Sequence, residues 1–247
     1  MRLFFIFFLS LMLASGTTAH AQRRGALPLN LPHYDYMPYN FGFVLGFNRM
    51  DFSLHTIETD SLKILNQQLQ NPHGNLLGVL ARPDFGFHIG IVSNLRLTNL
   101  LDLRFVPTLS FGERTLEYRF SSGATINQPL EATFIEFPLH LKYKSRRIQN
   151  TRAYIIAGMK FSTDLSSNQF RDEADGELIY VRTHRNDWHY ELGVGIDQYF
   201  HFFKFSVEIK ASFGLGRLQL PGEQGPIFTD PISRLNSKNV MVSFIFE

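Results

Sequence analysis

The stretch from Tyr39 to Asn48, YNFGFVLGFN, decides which fold this chain adopts. Its two faces carry different residues: Phe41, Phe43, Leu45 and Phe47 share one parity, and Asn40, Gly42, Gly46 and Asn48 share the other. Alternation at period two places side chains on opposite faces of a β-strand. One face is therefore bulky and apolar, and the other is small or polar. Either face could point inward, and each choice predicts a different class of protein.

The N-terminus has the three parts of a secretory signal peptide. Arg2 supplies the positive charge, residues 3–13 are apolar, and Ala19-His20-Ala21 is a small-x-small cleavage site. The apolar run is too short for a spanning helix, so the alternative of an N-terminal anchor helix is the weaker one. We therefore predict that residues 1–21 are a cleaved signal peptide.

The composition excludes several classes of protein. The chain has no Cys, so disulfides and a lipoprotein anchor are excluded. Removing Arg2 from 24 Lys and Arg leaves 23, against 22 Asp and Glu, a balance that predicts no nucleic-acid partner. No apolar run of about 18 residues follows the signal peptide, so a helical membrane protein is excluded. A single domain is the simplest interpretation of this length.

The alternation recurs in seven further segments. They are PDFGFHIGIVSNLRL, LDLRFVPTLSF, FIEFPLHLKYK, AYIIAGMKF, WHYELGVGID, FKFSVEIKASFGLG and NVMVSFIFE. With the first stretch they predict eight strands of about ten residues, the length that crosses a bilayer at a tilt.

The links between these strands alternate in length. Short links fall near 98–99, 145–150 and 201–202, and long polar links fall near 55–82, 121–131, 164–186 and 218–237. This pattern puts the long loops on one side of the sheet and the short turns, with both termini, on the other. Outer-membrane barrels have extracellular loops that are long and periplasmic turns that are short.

Glycines indicate which face points inward. Gly42, Gly46, Gly193 and Gly195 all lie on the face opposite the apolar rows. Glycine weakens a strand and has no use on a water-facing surface, but it fits the crowded interior of a narrow barrel. We therefore predict a closed eight-stranded antiparallel transmembrane β-barrel over residues 39–247, in the outer membrane, rather than a soluble sandwich or lipocalin. The alternation slips at Arg49–Met50 and between Phe111 and Leu116, where we expect β-bulges.

The polar face carries charges of both signs. We predict a luminal ionic network of Asp102, Arg104, Glu136, Lys142, Glu191, Asp197, Glu208 and Lys210. Buried charges must be paired, so structural pairing is the preferred interpretation. His88, His140 and His189 share this face and, with a carboxylate and a Ser near the outer rim, leave open a lipid-modifying enzyme. No catalytic or metal-binding motif is present, and we expect no catalytic residue, cofactor, metal or small-molecule substrate.

Two further segments carry predictions. Leu62, Leu65 and Leu69 are at helical spacing in the first long loop and predict a short amphipathic helix. The last strand ends with Val242, Phe244 and Phe246, which resembles the signal that the outer-membrane assembly machinery recognises. Glu247 follows the last aromatic residue, whereas the usual signal ends on it.

The segment LPHYDYMPYNFGF, Leu31 to Phe43, together with FIEFPLHLKYK, resembles the PorT (SprT) family of outer-membrane proteins from Bacteroidetes. The resemblance extends over essentially the whole mature chain. It implies a non-enzymatic role in type IX secretion, the route that exports proteases, adhesins and gliding-motility components. The partners implied are the lipid bilayer and other secretion components. A lipid-modifying enzyme and an adhesin-like or envelope-stabilising barrel remain as alternatives.

Residues 22–38 form the predicted periplasmic segment before the first strand. Pro28, Pro32 and Pro38 favour an extended backbone, and the tyrosines between them are aromatic anchors. We expect Tyr34, Tyr36 and Pro38 either to dock a periplasmic partner or to belong to a cap over the barrel mouth.

Overall fold

The computed structural model describes residues 29–56, 66, 74–166, 183–216, 218 and 232–247. A short 3₁₀ helix (Tyr34–Tyr36) precedes nine antiparallel strands. The strands are β1 (Tyr39–Thr56), β2 (Leu76–Arg96), β3 (Leu101–Phe105), β4 (Thr108–Phe120), β5 (Thr125–Lys144), β6 (Thr151–Asp164), β7 (Asn186–Tyr199), β8 (Lys204–Gly214) and β9 (Ile232–Phe246). The predicted signal peptide and the predicted helix around Leu62, Leu65 and Leu69 lie outside the described residues.

The strands pair into a ring of eight. β1 pairs with β2 on one side and with β9 on the other, and from β4 to β9 each strand pairs with the next in sequence. β3 and β4 share one place in the ring, because both lie between β2 and β5. We predicted them as a single strand, but Pro107 has no N–H to donate and the ladder breaks there. The predicted eight-stranded antiparallel barrel is otherwise confirmed.

The lower part of the barrel, which we call the membrane section, has apolar residues outside. On β1 it runs from Tyr39 to Phe47, and Phe41, Phe43 and Phe47 are each more than half exposed. On β7, Leu192 and Val194 are exposed in the same way, whereas the side chains of opposite parity are buried. Apolar outside and polar inside is the arrangement of a lipid-embedded barrel.

Beyond the membrane section, β1, β2, β4, β5 and β9 continue into what we call the outer section. Here the two faces exchange character: the inward residues are apolar and form one buried cluster. Its members are Phe52, Leu76, Val79, Leu116, Tyr118, Phe120, Leu130, Leu218, Ile232 and Leu235. A water-surrounded barrel buries apolar side chains in its core, so the outer section is built like a soluble barrel.

This exchange corrects the two predicted bulges. β1 pairs with β9 without a register shift from Phe43 to His55, so no bulge lies at Arg49–Met50. β4 likewise pairs with β5 without a shift, and the nearby irregularity lies on β2 between Pro83 and Phe87. The slips in the pattern arise because the surroundings change from lipid to water while the backbone keeps its parity.

The connections also differ from the prediction in part. The predicted loop at 121–131 is a tight turn, because β4 ends at Phe120 and β5 begins at Thr125. Most strands are longer than ten residues, and β2 has 21. No helix among the described residues is long and apolar enough to cross a membrane.

Candidate functional site

The lumen of the membrane section is the largest cluster of charged groups in the described part of the chain. Alternation along each strand points every second side chain inward. The narrow ring of eight strands then buries these inward side chains almost completely. Four of these charged residues are 0 % exposed: Arg104, Lys142, Glu191 and Asp197. Burial this deep is tolerated only where each charge has partners.

One group of charges lies towards the outer section. Glu191 on β7 is the centre: its Oε2 lies 2.6 Å from His140 Nε2, and its Oε1 lies 3.2 Å from Lys160 Nζ. Lys160 also donates to Glu136 at 2.8 Å. Three strands, β5, β6 and β7, are thereby tied together on the luminal side by charge-assisted contacts.

A second group lies towards the periplasmic mouth. Arg104 donates to Glu208 at 2.8 Å and to Asn94 at 2.8 Å. Lys142 donates to both oxygens of Asp197 at 2.9 Å. The hydroxyl of Tyr154 donates to Glu208 at 2.9 Å, and its ring lies 3.6 Å below the Lys142 ammonium. The Tyr154 ring thus joins the two ion pairs.

Glycine makes this packing possible. An added Cβ at Gly195 would overlap the ring of Tyr154, and one at Gly46 would lie 2.7 Å from the ring of His88. Because these glycines have no side chain, Tyr154 and His88, which lie directly opposite them on the adjacent strands β6 and β2, have the space that their rings occupy. This is the crowding that the glycine pattern predicted.

The structure places all eight predicted network residues in the lumen, with different partners. Asp102 accepts from Lys144 at 2.6 Å, and the other pairs are those given above. Lys210 is buried, but it makes no ion pair within the part of the chain that the structure describes. It is the one predicted member that the structure does not bring into contact with an opposite charge among those residues.

Several network residues were not predicted. Lys144, Lys160 and Glu247 all belong to ion pairs in the lumen, and Glu247 pairs with Lys204 at 2.6 Å. Alternation alone could have found Glu247, because it follows the outward-facing Phe246. The rings of Phe244 and Phe246 stack on those of Phe205 and Phe43.

Ser162, His189 and Asp187 come together near the outer end of the lumen. Ser162 Oγ lies 2.9 Å from His189 Nε2, and Asp187 Oδ2 lies 3.4 Å from the same nitrogen. A nucleophile–base–carboxylate triad needs the carboxylate on Nδ1, the opposite ring nitrogen. His189 Nδ1 is buried without a hydrogen bond among the described residues. The arrangement therefore lacks the geometry that activates a serine.

The segment before β1 covers the periplasmic mouth, and Asp35 holds it there. Arg152 donates to both carboxylate oxygens of Asp35 at 3.0 Å, and the hydroxyl of Tyr199 donates at 2.8 Å. Arg147 adds a contact at 3.4 Å and stacks its guanidinium 3.7 Å from the Tyr199 ring. Two-pronged arginine–carboxylate pairs of this kind are among the stronger polar contacts. We call residues 29–38 the cap.

The three predicted docking residues have different places in the cap. Tyr34 points to the lumen, with its ring 4.6 Å from the Lys204 ammonium, and burial raises its pKa, so the hydroxyl stays neutral. Pro38 accepts the backbone N–H of Arg96 at 2.9 Å. Tyr36 is 71 % exposed, and the Arg96 guanidinium lies 5.6 Å from its ring. Tyr36 therefore presents much of its side chain to a partner, whereas Tyr34 and the carbonyl of Pro38 contact the barrel and hold the cap in place.

Comparison with known proteins gives a family and a solved structure to which the chain is similar. The family described as "Outer membrane protein beta-barrel domain" matches residues 21–219. Among solved structures, the chain is similar to the outer membrane protein OprG from Pseudomonas aeruginosa, at 15% identity and a TM-score of 0.43. That match covers 83% of this chain and 92% of OprG. No curated protein matches the sequence.

Proposed function

Because the chain belongs to the outer membrane protein β-barrel domain family, we propose that it is a non-enzymatic outer-membrane component of type IX secretion that acts through its periplasmic face. The observation that carries the proposal is the cap, which is latched by Asp35 and presents Tyr36 to the periplasm. The resemblance of the segment around the cap to the PorT family supports the same role.

The lumen favours a structural role over transport. Arg104–Glu208, Lys142–Asp197 and Lys160–Glu136 span it with paired charges. Breaking such a pair is strongly destabilising, because removing one partner leaves the other as an uncompensated buried charge. A cargo protein could not pass through this interior, so the barrel would serve as an anchor or assembly site rather than as a conduit.

The exposed side of the cap is the surface that a secretion partner would meet. Three residues of the firmly held cap are each about half exposed or more: Leu29, Tyr36 and Met37. An aromatic and apolar surface on a rigid support is typical of protein-binding sites. We propose no reaction at the Ser162–His189 contact.

The test is a deletion strain complemented with variants, in which export of sorting-domain cargo is measured. Replacing Tyr36 and Met37 with Ser should leave a heat-modifiable barrel in the membrane and reduce export at least tenfold. The matched control is Ser53→Ala on the exposed face of the outer section, which should restore export fully. Normal export from the Tyr36/Met37 variant would reject docking through the cap.

The deletion strain itself separates the alternatives. Intact export with a weakened envelope would replace the secretion role by an envelope-stabilising one. Intact export with altered lipid A would favour the lipid-modifying enzyme, and Ser162→Ala would then have to abolish that alteration.

A further inference from the structure

The apolar rows of the membrane section end in cations on two neighbouring strands. On β1, the outward row of Phe43, Leu45 and Phe47 continues into Arg49. On β9, which runs in the opposite direction, Lys238 precedes the outward Val240. Arg49 and Lys238 are both exposed.

The strand register makes these two cations neighbours. Arg49 lies opposite Val240, and Lys238 lies opposite Asp51, so Arg49 and Lys238 are diagonal partners across β1 and β9. Diagonal residues of an antiparallel pair are roughly 7–8 Å apart. Two exposed positive side chains therefore extend outward from neighbouring positions on the barrel surface.

Within the described residues, the side chains of Arg49 and Lys238 make no hydrogen bond or ion pair. The other outward cations of the outer section have partners. Arg82 and Arg119 both contact Glu117, and Arg234 donates to Asn236 at 2.7 Å.

The carboxylates beside the two cations are bonded within their own strands. Asp51 accepts the backbone N–H of Phe52 at 2.8 Å, and Asp84 accepts that of Phe85 at 2.7 Å. Each uses one oxygen for the next residue of its own strand, and neither forms an ion pair with Arg49 or Lys238.

The position of the pair matches the headgroup level of a bilayer. Ten residues separate Tyr39 from Arg49, which at about 3.4 Å per residue and a tilt of about 40° is a rise of roughly 26 Å. The apolar band of an outer-membrane barrel is about 25 Å tall. Phe47 precedes Arg49 on the outward row of β1, and Phe85 lies opposite Arg49 on β2. They are 65% and 77% exposed and offer a surface for acyl chains.

We propose that Arg49 and Lys238 form a binding site for the phosphates of the outer-leaflet phosphoglycolipid, whose acyl chains lie on the Phe47 and Phe85 rings. The site is on the extracellular side of the barrel, the side on which a phosphorylated glycolipid forms the outer membrane's leaflet. Two exposed cations over an apolar surface match two phosphates over acyl chains. The inference rests on the outer-membrane location and is independent of the secretion role.

The test is a titration of the purified full-length barrel in detergent micelles with diphosphorylated lipid A. The double variant Arg49→Gln/Lys238→Gln should bind about 30-fold more weakly than wild type, because each cation near an anionic surface contributes a factor of about five. The charge-preserving variant Arg49→Lys/Lys238→Arg should remain within about threefold of wild type, since the attraction is electrostatic.

The matched control is Arg146→Gln, which removes an exposed cation at the periplasmic end and should leave lipid A affinity unchanged. The affinity of wild type for dephosphorylated lipid A should be no higher than the affinity of the double variant for lipid A itself. Equal lipid A affinity of wild type and the double variant would overturn the proposal. Equal affinity of wild type for phosphatidylglycerol would overturn the assignment to a glycolipid.

Discussion

The membrane section and the outer section are made from the same strands, yet they bury opposite kinds of side chain. On β1, Asn48 points inward in the membrane section, and two residues of the same parity further on, Phe52 belongs to the apolar cluster of the outer section. The strand does not change its register between them. Only the surroundings change. Apolar side chains are stable on the outside where lipid surrounds the barrel, and on the inside where water surrounds it.

The comparison also separates two ways of stabilising a barrel interior. In the membrane section, Arg104 and its partners form hydrogen-bonded ion pairs that cannot be broken singly without leaving a buried charge. In the outer section, Leu116 and Leu235 are fully buried among apolar neighbours, and their contribution scales with the area removed from water. The two sections should therefore respond differently to the same kind of substitution.

Arg104→Ala should have the largest effect. It leaves Glu208 without its ion-pair partner in the membrane section, at an expected loss of about 3–5 kcal/mol in the free energy of unfolding. The measurement is urea unfolding in lipid vesicles, followed by the fluorescence of Trp188, the chain's one Trp. Arg146→Ala, at an exposed arginine, is the control and should be neutral. A loss below about 1 kcal/mol for Arg104→Ala would contradict the structural role of the network.

Leu116→Ala should destabilise the outer section by about 2–5 kcal/mol, through lost burial and the cavity that remains. The same unfolding measurement reports it, and proteolysis of intact cells should show faster cleavage of the outer section. Thr115→Ala, one residue away on the outward face, is the matched control, with an expected change within about 0.5 kcal/mol. Equal effects of the two substitutions would show that no apolar core exists there.

Leu192→Arg tests the outward face. Leu192 lies near the middle of the exposed apolar row of β7, so a charge there should cost about 2–4 kcal/mol. Asn127→Arg places the same side chain on the outward face of the outer section and should change stability by about 0.5 kcal/mol or less. The difference between the two changes in unfolding free energy measures how much less favourable the arginine is against lipid than against water. If both variants were neutral, the membrane boundary would lie elsewhere.

Much of the fold could be predicted from local pattern. Period-two alternation in Phe41–Phe47 and in Trp188–Ile196 identifies strands and their faces, because side-chain direction along a strand follows from backbone geometry alone. The glycines opposite those rows indicate which face is crowded. The outer section was not predicted, although Phe52, Leu116 and Tyr118 are apolar at inward parity. A bulge and a change of surroundings leave the same slip in the alternation, and the sequence alone does not distinguish them.

The candidate site was predictable as a set of charges but not as pairs. Parity places Glu208, Asp197 and Glu191 in the lumen, but it does not say which cation each one meets. Glu208 meets Arg104 from a strand 104 positions away in sequence. Such a contact depends on the closure and stagger of the whole ring, which no local window contains.

By itself, the sequence determined the strands, their two faces and the direction in which the apolar rows point, since each of these follows from the spacing of neighbouring residues. Only the tertiary structure decided that the faces exchange roles beyond Phe47, that Asp35 latches the cap onto Arg152, and that Arg49 stands beside Lys238. The physical reason is that these three features depend on contacts between distant parts of the chain and on where the bilayer ends.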